Sequence, residues 1–263
     1  MSWNRLLIAA LFLLLPGPIL IVVAVSFTSV GYLRFPPGEL SLRWYAEFLS
    51  DQRWLDAMLT SVALAVAAAV LTTAVALMAA LAVARKSSSR VASLFESMVL
   101  APLVFPHAAL GMTMVALAVA FDVYGTFAGL LLAHCIITLP FAYRPVSVSL
   151  RKADGSLEEA AMSLGSRPWN TFVRVTLPLM RPGLVTALLF TFIISFDEIT
   201  ISMFLVGPEV TTLPVSIYSY ILESGRPVVA AISTALVALT IVLVLVLERA
   251  VGLELFVEAE KAR

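Results

Sequence analysis

Apolar residues along this chain come in long runs, and polar residues gather between them. A membrane-spanning helix needs about 20 largely apolar residues. Six stretches meet that measure, at about 6–27, 58–84, 94–120, 126–146, 181–205 and 228–247. The pattern predicts an all-α membrane protein with about six transmembrane helices. Prolines punctuate the third run (Pro102, Pro106) and the fourth (Pro140, Pro145) and predict interruptions in both. The first run follows Arg5, as a signal peptide would. Its apolar stretch of about 20 residues exceeds the roughly 7–15 of a cleavable one, which predicts a retained helix. The expected organisation is a first helix with a periplasmic connector over 1–57, a core over 58–248 containing a polar loop over 147–180, and a cytoplasmic tail over 249–263.

Between the fourth and fifth runs lies SLEEAAMSLGSRPWNTFVRVTLP, Ser156 to Pro178. Ser156 with Glu159 three residues on has the spacing of a capping box and predicts a helix start. Gly165 supplies the left-handed conformation that ends such a helix, and Ser166 with Pro168 restarts a second. A polar loop folded this compactly between spans is suited to be gripped by a partner.

Composition agrees with the pattern: 61% of residues are hydrophobic and 13% charged, against about 25% charged in soluble domains. Orientation follows from basic residues near the span ends. Arg5, Arg85, Lys86, Arg90, Arg144, Arg151, Lys152, Arg167, Arg174, Arg181, Arg249, Lys261 and Arg263 fall on one side. Arg34, Arg43, Arg53 and Arg226 fall on the other. The first side is predicted to be cytoplasmic, with both termini and the glycine-broken loop. The outer segment SLRWYAEFL, Ser41 to Leu49, places Leu42, Tyr45, Phe48 and Leu49 on one face and predicts a helix lying along the membrane surface. Tyr218 and Tyr220 are suited to anchor the second outer loop, 207–227, at the interface.

The single cysteine, Cys135, excludes a disulfide framework, and no P-loop pattern is present. ATP-driven work therefore requires another subunit. Ionisable groups inside spans cost about 2.5–3.5 kcal/mol each and demand a reason. Asp197 and Glu198 in the fifth run are the foremost case. Thr191, Ser195, Glu198 and Ser202 recur at steps of four, three and four, one polar stripe on an otherwise apolar helix. Either that stripe lines a pathway or its carboxyl group is satisfied internally. Asp197 sits off the stripe, within reach of Thr200 or a neighbouring helix. His107, after Pro106, and His134, with Thr138, are either pathway residues or histidines satisfied within the bundle. Neither makes a metal site. Glu96, near a span end, is placed to snorkel.

Glu159-Ala160-Ala161, then Gly165, then Leu177-Pro178 resemble the "EAA" signature of membrane subunits of bacterial ABC importers, with Val175 where isoleucine is commoner. The segment SFDEITISMFLVGPEVTTLPVSIYSYI resembles the polyamine-type subgroup. The resemblance implies a type I ABC importer (MetI-like) permease fold in a bacterial inner membrane. It implies these partners: a second permease subunit, paralogous or identical; two ATP-binding subunits that hold the ATP and Mg; and a periplasmic solute-binding protein. This chain would itself carry no cofactor and contact lipid but no nucleic acid. Glu159, Ala160, Ala161, Gly165, Leu177 and Pro178 would couple it to the ATPase. Glu198, Asp197, Ser195, Ser202 and His107 are the pathway candidates. The implied cargo is a small nitrogenous, cationic solute, with opines, amino acid derivatives and aminophosphonates as alternatives. His107 stands where spermidine–putrescine members carry an acid, so one countercharge for a dication is missing. The competing class is a stand-alone secondary transporter using the Asp197–Glu198 pair, opposed by the full loop motif and the absence of a repeat.

Overall fold

The computed structural model describes residues 14–84 and 90–251, the side chains of 243, 244 and 246–251 excepted. The opening of the first run, Arg5, Arg85, Lys86 and the end of the tail lie outside the described residues. Those described are helical almost throughout. They form two compact units, one within residues 57–215 and one combining residues up to 56 with those from 216 onward.

The larger unit begins within α3 (Gln52–Ala84), one of two helices among the described residues long and apolar enough to cross a membrane unaided. From Ala57 to Ala80 its buried positions are nearly all small: seven alanines, Ser61, Thr72 and Thr73, with Leu64 the one large exception. Small residues let helix backbones approach closely in lipid, where the hydrophobic effect does not drive association. The third span is broken, as its prolines predict. α4 (Arg90–Leu100) runs into a 3-10 turn, Ala101–Leu103, and then α5 (His107–Ala120), with a bend of 105° between the two arms.

The fourth span departs from expectation. α6 (Phe127–Lys152) is continuous and carries both Pro140 and Pro145 inside it. Thr126 caps it by accepting the Gly129 N–H at 3.2 Å, and Arg151 and Lys152 sit in its last turn, where cations suit the helix dipole. Proline in a helix is tolerated where neighbouring helices cover the freed carbonyls. Here Pro140 is buried, and the fifth span packs closely on the helix at Gly183, beside the Pro145 carbonyl and Ser149. A Cβ on Gly183 would collide with Ser149, so glycine is what lets the fifth span lie directly on α6.

The Ser156–Pro178 region forms α7 (Gly155–Ser163), α8 (Pro168–Thr171), a π-helical turn over Phe172–Thr176, and α9 (Leu177–Leu179). After a 67° bend comes α10 (Arg181–Phe196). The fifth span was expected to continue to 205. It stops at Phe196 and resumes as α11 (Ser202–Leu205). Gly111 on α5 admits the Phe204 ring so closely that a Cβ there would meet Phe204 Cδ2 at 2.5 Å.

In the other unit, α1 (Gly17–Ser26) leads to a loop closed by an antiparallel bridge between Thr28 and Leu40. The amphipathic helix α2 (Arg43–Ser50) follows, but its buried face differs from the predicted one. Trp44 and Phe48 point inward, while Leu42 and Leu49 are exposed. The cause is a polar handle on a large ring: Trp44 Nε1 donates to the Thr28 carbonyl at 2.8 Å, and the Arg43 and Arg226 guanidinium groups flank its ring at 4.3 and 5.0 Å. Arg226 also pairs with Glu47 at 3.2 Å. Tyr220, on α12 (Leu213–Glu223), meets the Trp54 ring edge-on at 5.3 Å. The last helix, α13 (Val228–Val251), is apolar over its described part. Among the described residues two unaided spans and two bent pairs give up to four crossings, and α1 and α13 are shorter apolar helices within the first and last predicted runs.

Candidate functional site: a glycine-turned hairpin and a broken fifth span

Two features concentrate the polar chemistry of the larger unit. The first is the hairpin of α7 and α8. Its cap is not Ser156, as the capping-box spacing suggested. Asp154 takes the position, accepting the Ser156 N–H at 2.9 Å, and Ser156 lies inside the first turn. Hydrogen bonding from Ser156, its backbone N–H above all, holds the Asp154 carboxyl below the ordinary aspartate range. With the cap two residues earlier, Glu159 is released from capping and stands exposed, as does Ala160.

Gly165 adopts φ +88°, the left-handed conformation expected of it. Its N–H bonds the Met162 carbonyl at 2.9 Å, and the Ser166 N–H bonds the Ala161 carbonyl at 3.0 Å, closing the end of α7. Pro168 opens α8. Leu164 is 90% exposed and Trp169 71%, an unusual outlay of apolar surface on a charged loop. Leu177 and Pro178 are half-buried at the approach to α10. Glu158, unremarked in the sequence, turns inward and accepts the Thr176 hydroxyl at 2.6 Å.

The second feature is the gap between α10 and α11. Because the helix stops at Phe196, the stripe drawn through Thr191, Ser195, Glu198 and Ser202 is not one continuous helical face. The buried Glu198 carboxylate instead accepts the Ile201 N–H at 2.7 Å, satisfying a donor that the break leaves without a helical partner. Asp197, by contrast, is exposed at the end of α10.

Ser195 and Ser202 both turn to His134, which is fully buried on α6. His134 Nδ1 lies 2.7 Å from Ser195 Oγ and Nε2 lies 3.0 Å from Ser202 Oγ. The tautomer follows from proton accounting. Ser202 donates its one hydroxyl proton to the Glu198 carbonyl at 3.0 Å, so it accepts from Nε2–H. Nδ1 is then the acceptor, and Ser195 donates to it. Behind the ring, Thr138 donates to the His134 carbonyl at 2.6 Å and meets Thr72 at 3.2 Å. A neutral imidazole thus bridges both sides of the break, the satisfied reading of His134. The signal available in the sequence was a histidine with a threonine four residues on, and it did not reveal the two serines.

His107 is not satisfied inside the bundle. It is exposed at the first position of α5, where the 105° bend opens. Glu96 does more than snorkel: Arg151 donates to it at 3.1 Å, an exposed pair of small energetic weight.

Comparison with known proteins shows the family. The family described as "Binding-protein-dependent transport system inner membrane component" matches residues 72–253. The putrescine transport system permease protein PotI of Escherichia coli K12 is 33% identical over 238 residues, 88% of this chain and 84% of its own. The putative 2-aminoethylphosphonate transport system permease protein PhnV of Salmonella typhimurium LT2 is 29% identical, over 90% and 89%. The spermidine/putrescine permease protein PotC of E. coli K12 is 27% identical, over 90% and 89%. Among solved structures, a chain of a bacterial ABC transporter involved in importing the acidic polysaccharide alginate matches with a TM-score of 0.73 over 94% of each chain at 18% identity, a likeness of fold. The chain belongs to the family of binding-protein-dependent transport system inner membrane components, and it is a membrane-embedded permease subunit of an ABC importer.

Proposed function

We propose that this chain forms half of the translocation pathway of an ATP-driven importer for a small solute bearing an aliphatic ammonium group, polyamine-like in type. The relatives named above are a putrescine, a 2-aminoethylphosphonate and a spermidine/putrescine permease, and an aliphatic amine is common to all of those solutes. The observation that carries the reading is the exposed Asp197 carboxylate at a break in a span. Helix breaks within membranes are tolerated where they line a cavity or pack against protein. An ionisable group there is a functional candidate by default. Asp197 is the pathway carboxylate in this proposal, with Glu198, Ser195 and Ser202 holding the break in shape and His107 at the bend of the third span.

The hairpin serves as the ATPase dock. Glu159 and Ala160 are exposed, with Ala161 half-buried beside them, which sets a carboxylate next to small residues, and the exposed Leu164 and Trp169 supply apolar area to bury. Gly165 sets the angle of the hairpin, and Leu177-Pro178 leads from it into the fifth span. The partners are a second permease subunit, two subunits that bind ATP and Mg, and a periplasmic solute-binding protein. The exposed bases Arg144, Arg151, Lys152, Arg167, Arg174 and Arg181 around the hairpin favour a cytoplasmic placement for it and for both termini. The domain plan of connector, core over 58–248 and tail over 249–263 belongs to this reading.

The test is reconstitution with the ATP-binding subunits, the second permease and the cognate binding protein. Putrescine, spermidine and 2-aminoethylphosphonate are first screened for raising the melting temperature of the binding protein. Those that do are then assayed for stimulating ATP hydrolysis and uptake. Stimulation only by solutes lacking an amine would overturn the substrate class, and absence of ATPase co-purification would overturn the importer role.

A further inference from the structure

Adjacent glutamates on α7 have opposite environments. Glu159 faces solvent, whereas Glu158 is half-buried and accepts the Thr176 hydroxyl at 2.6 Å across 18 residues of chain. An ionised acceptor makes this a charge-assisted hydrogen bond, stronger than a neutral one. Thr176 is 3% exposed, so water competes little at the donor end. The other side-chain tie within the hairpin, Thr171 to Ser166 at 3.0 Å, joins residues only five apart near the tip.

The backbone explains why Thr176 is where it is. Pro178 has no N–H, and in an α-helix its ring would press on the carbonyl four residues earlier, at Arg174. The chain answers with the wide turn of Phe172–Thr176. Such π turns recur at functional positions. Thr176 is the last residue of that turn, and its carbonyl accepts the N–H of the fully buried Met180 at 3.0 Å. Met180 packs with Ala142, Tyr143 and Ala187, and it stands at the 67° bend from which α10 departs. Thr176 is therefore bonded on both sides: by its side chain to α7, by its carbonyl to the pivot of the fifth span.

We propose that the Glu158–Thr176 hydrogen bond carries movement of the docked hairpin into the fifth span, making both residues positioning residues for coupling. The proposal rests on the importer reading and adds to it a path that bypasses the turn at Gly165. Displacement of α7 moves Glu158, which draws Thr176, the Met180 pivot and α10, at whose far end Asp197 stands. Glu159 docks; Glu158 transmits.

The experiment uses the complete reconstituted importer and compares ATP hydrolysis with and without solute-loaded binding protein, using the amine that shifts that protein's melting. Thr176→Val removes the donor and keeps the shape, and Glu158→Ala removes the acceptor. Each is expected to cut stimulation about tenfold, within the usual range for coupling between sites. The double variant loses no more than either single one, because both break one interaction. Thr176→Ser and Glu158→Gln, which preserve a donor and an acceptor, keep stimulation. In all of them the ATPase subunit stays bound and unstimulated hydrolysis holds. Full stimulation in Thr176→Val overturns the proposal. So does loss of stimulation together with loss of the ATPase subunit, which would make the pair part of the dock, and so does an additive double variant. A wild-type complex that neither retains the ATPase nor responds to loaded binding protein overturns the importer reading itself, and the link with it.

Discussion

The Glu198 carboxylate accepts the Ile201 N–H at 2.7 Å, closing the turn that interrupts the fifth span. Its oxygen does work that backbone carbonyls do elsewhere in the helix. Glu198→Gln retains an acceptor oxygen and is expected to preserve both fold and solute-stimulated ATPase. Glu198→Leu leaves the Ile201 N–H without a partner, at a cost of about 1–3 kcal/mol. Thermal unfolding of the detergent-purified complex reads the difference.

Asp197→Asn is expected to behave in the reverse way. Its carboxylate is exposed at the break, so neutralising it leaves assembly and melting temperature intact. Solute stimulation should fall about tenfold for a cationic amine, the equivalent of roughly 1.4 kcal/mol. A selective loss in Glu198→Gln with normal Asp197→Asn would exchange the roles of the two carboxylates.

For the hairpin, Glu159→Lys and Gly165→Val are expected to abolish uptake while the chain still inserts in the membrane. The first reverses a charge on the exposed face proposed as the dock. The second imposes a β-branched side chain on φ +88°, where non-glycine residues carry about 1–3 kcal/mol of strain. Co-purification of the ATPase subunit with tagged permease is the measurement. Normal retention and uptake in both variants would remove the dock from this loop.

His134→Phe fills the space of the imidazole but leaves the Ser195 hydroxyl without its acceptor, while Ser202 keeps its bond to the Glu198 carbonyl. A newly unsatisfied buried hydroxyl costs about 1–3 kcal/mol, so a clear drop in melting temperature is expected. Adding Ser195→Ala to His134→Phe should recover part of it, since the stranded hydroxyl is then gone. A double variant as unstable as the sum of its parts would show that the two side chains do not interact.

The hairpin was legible because its punctuation is steric. Only glycine sits easily at the Gly165 turn, and Pro168 is favoured at the start of a helix. The cap was misread because Asp154 and Ser156 both suit an N-cap, and the Glu159 spacing favoured the wrong one. The break after Phe196 was hidden for the opposite reason. No glycine or proline lies between Asp197 and Ile201, and the apolar period runs through the gap unchanged. The clue was a buried carboxylate able to replace the missing backbone acceptor. Prolines misled in the fourth span, where burial against α10 keeps α6 whole, yet held in the third, where Leu103, Val104 and Phe105 remain exposed at the bend.

The alanine-rich face of α3 bears on how such a subunit can move. Alanine has no rotamers to exchange, so a neighbouring helix that slides along Ala65, Ala68, Ala69, Ala76 and Ala80 meets no interlocked side chains that must first disengage. Shear between packed helices is a common form of domain motion. A smooth face keeps the barrier to it low without loosening the contact, much as a polished bearing carries load and still turns.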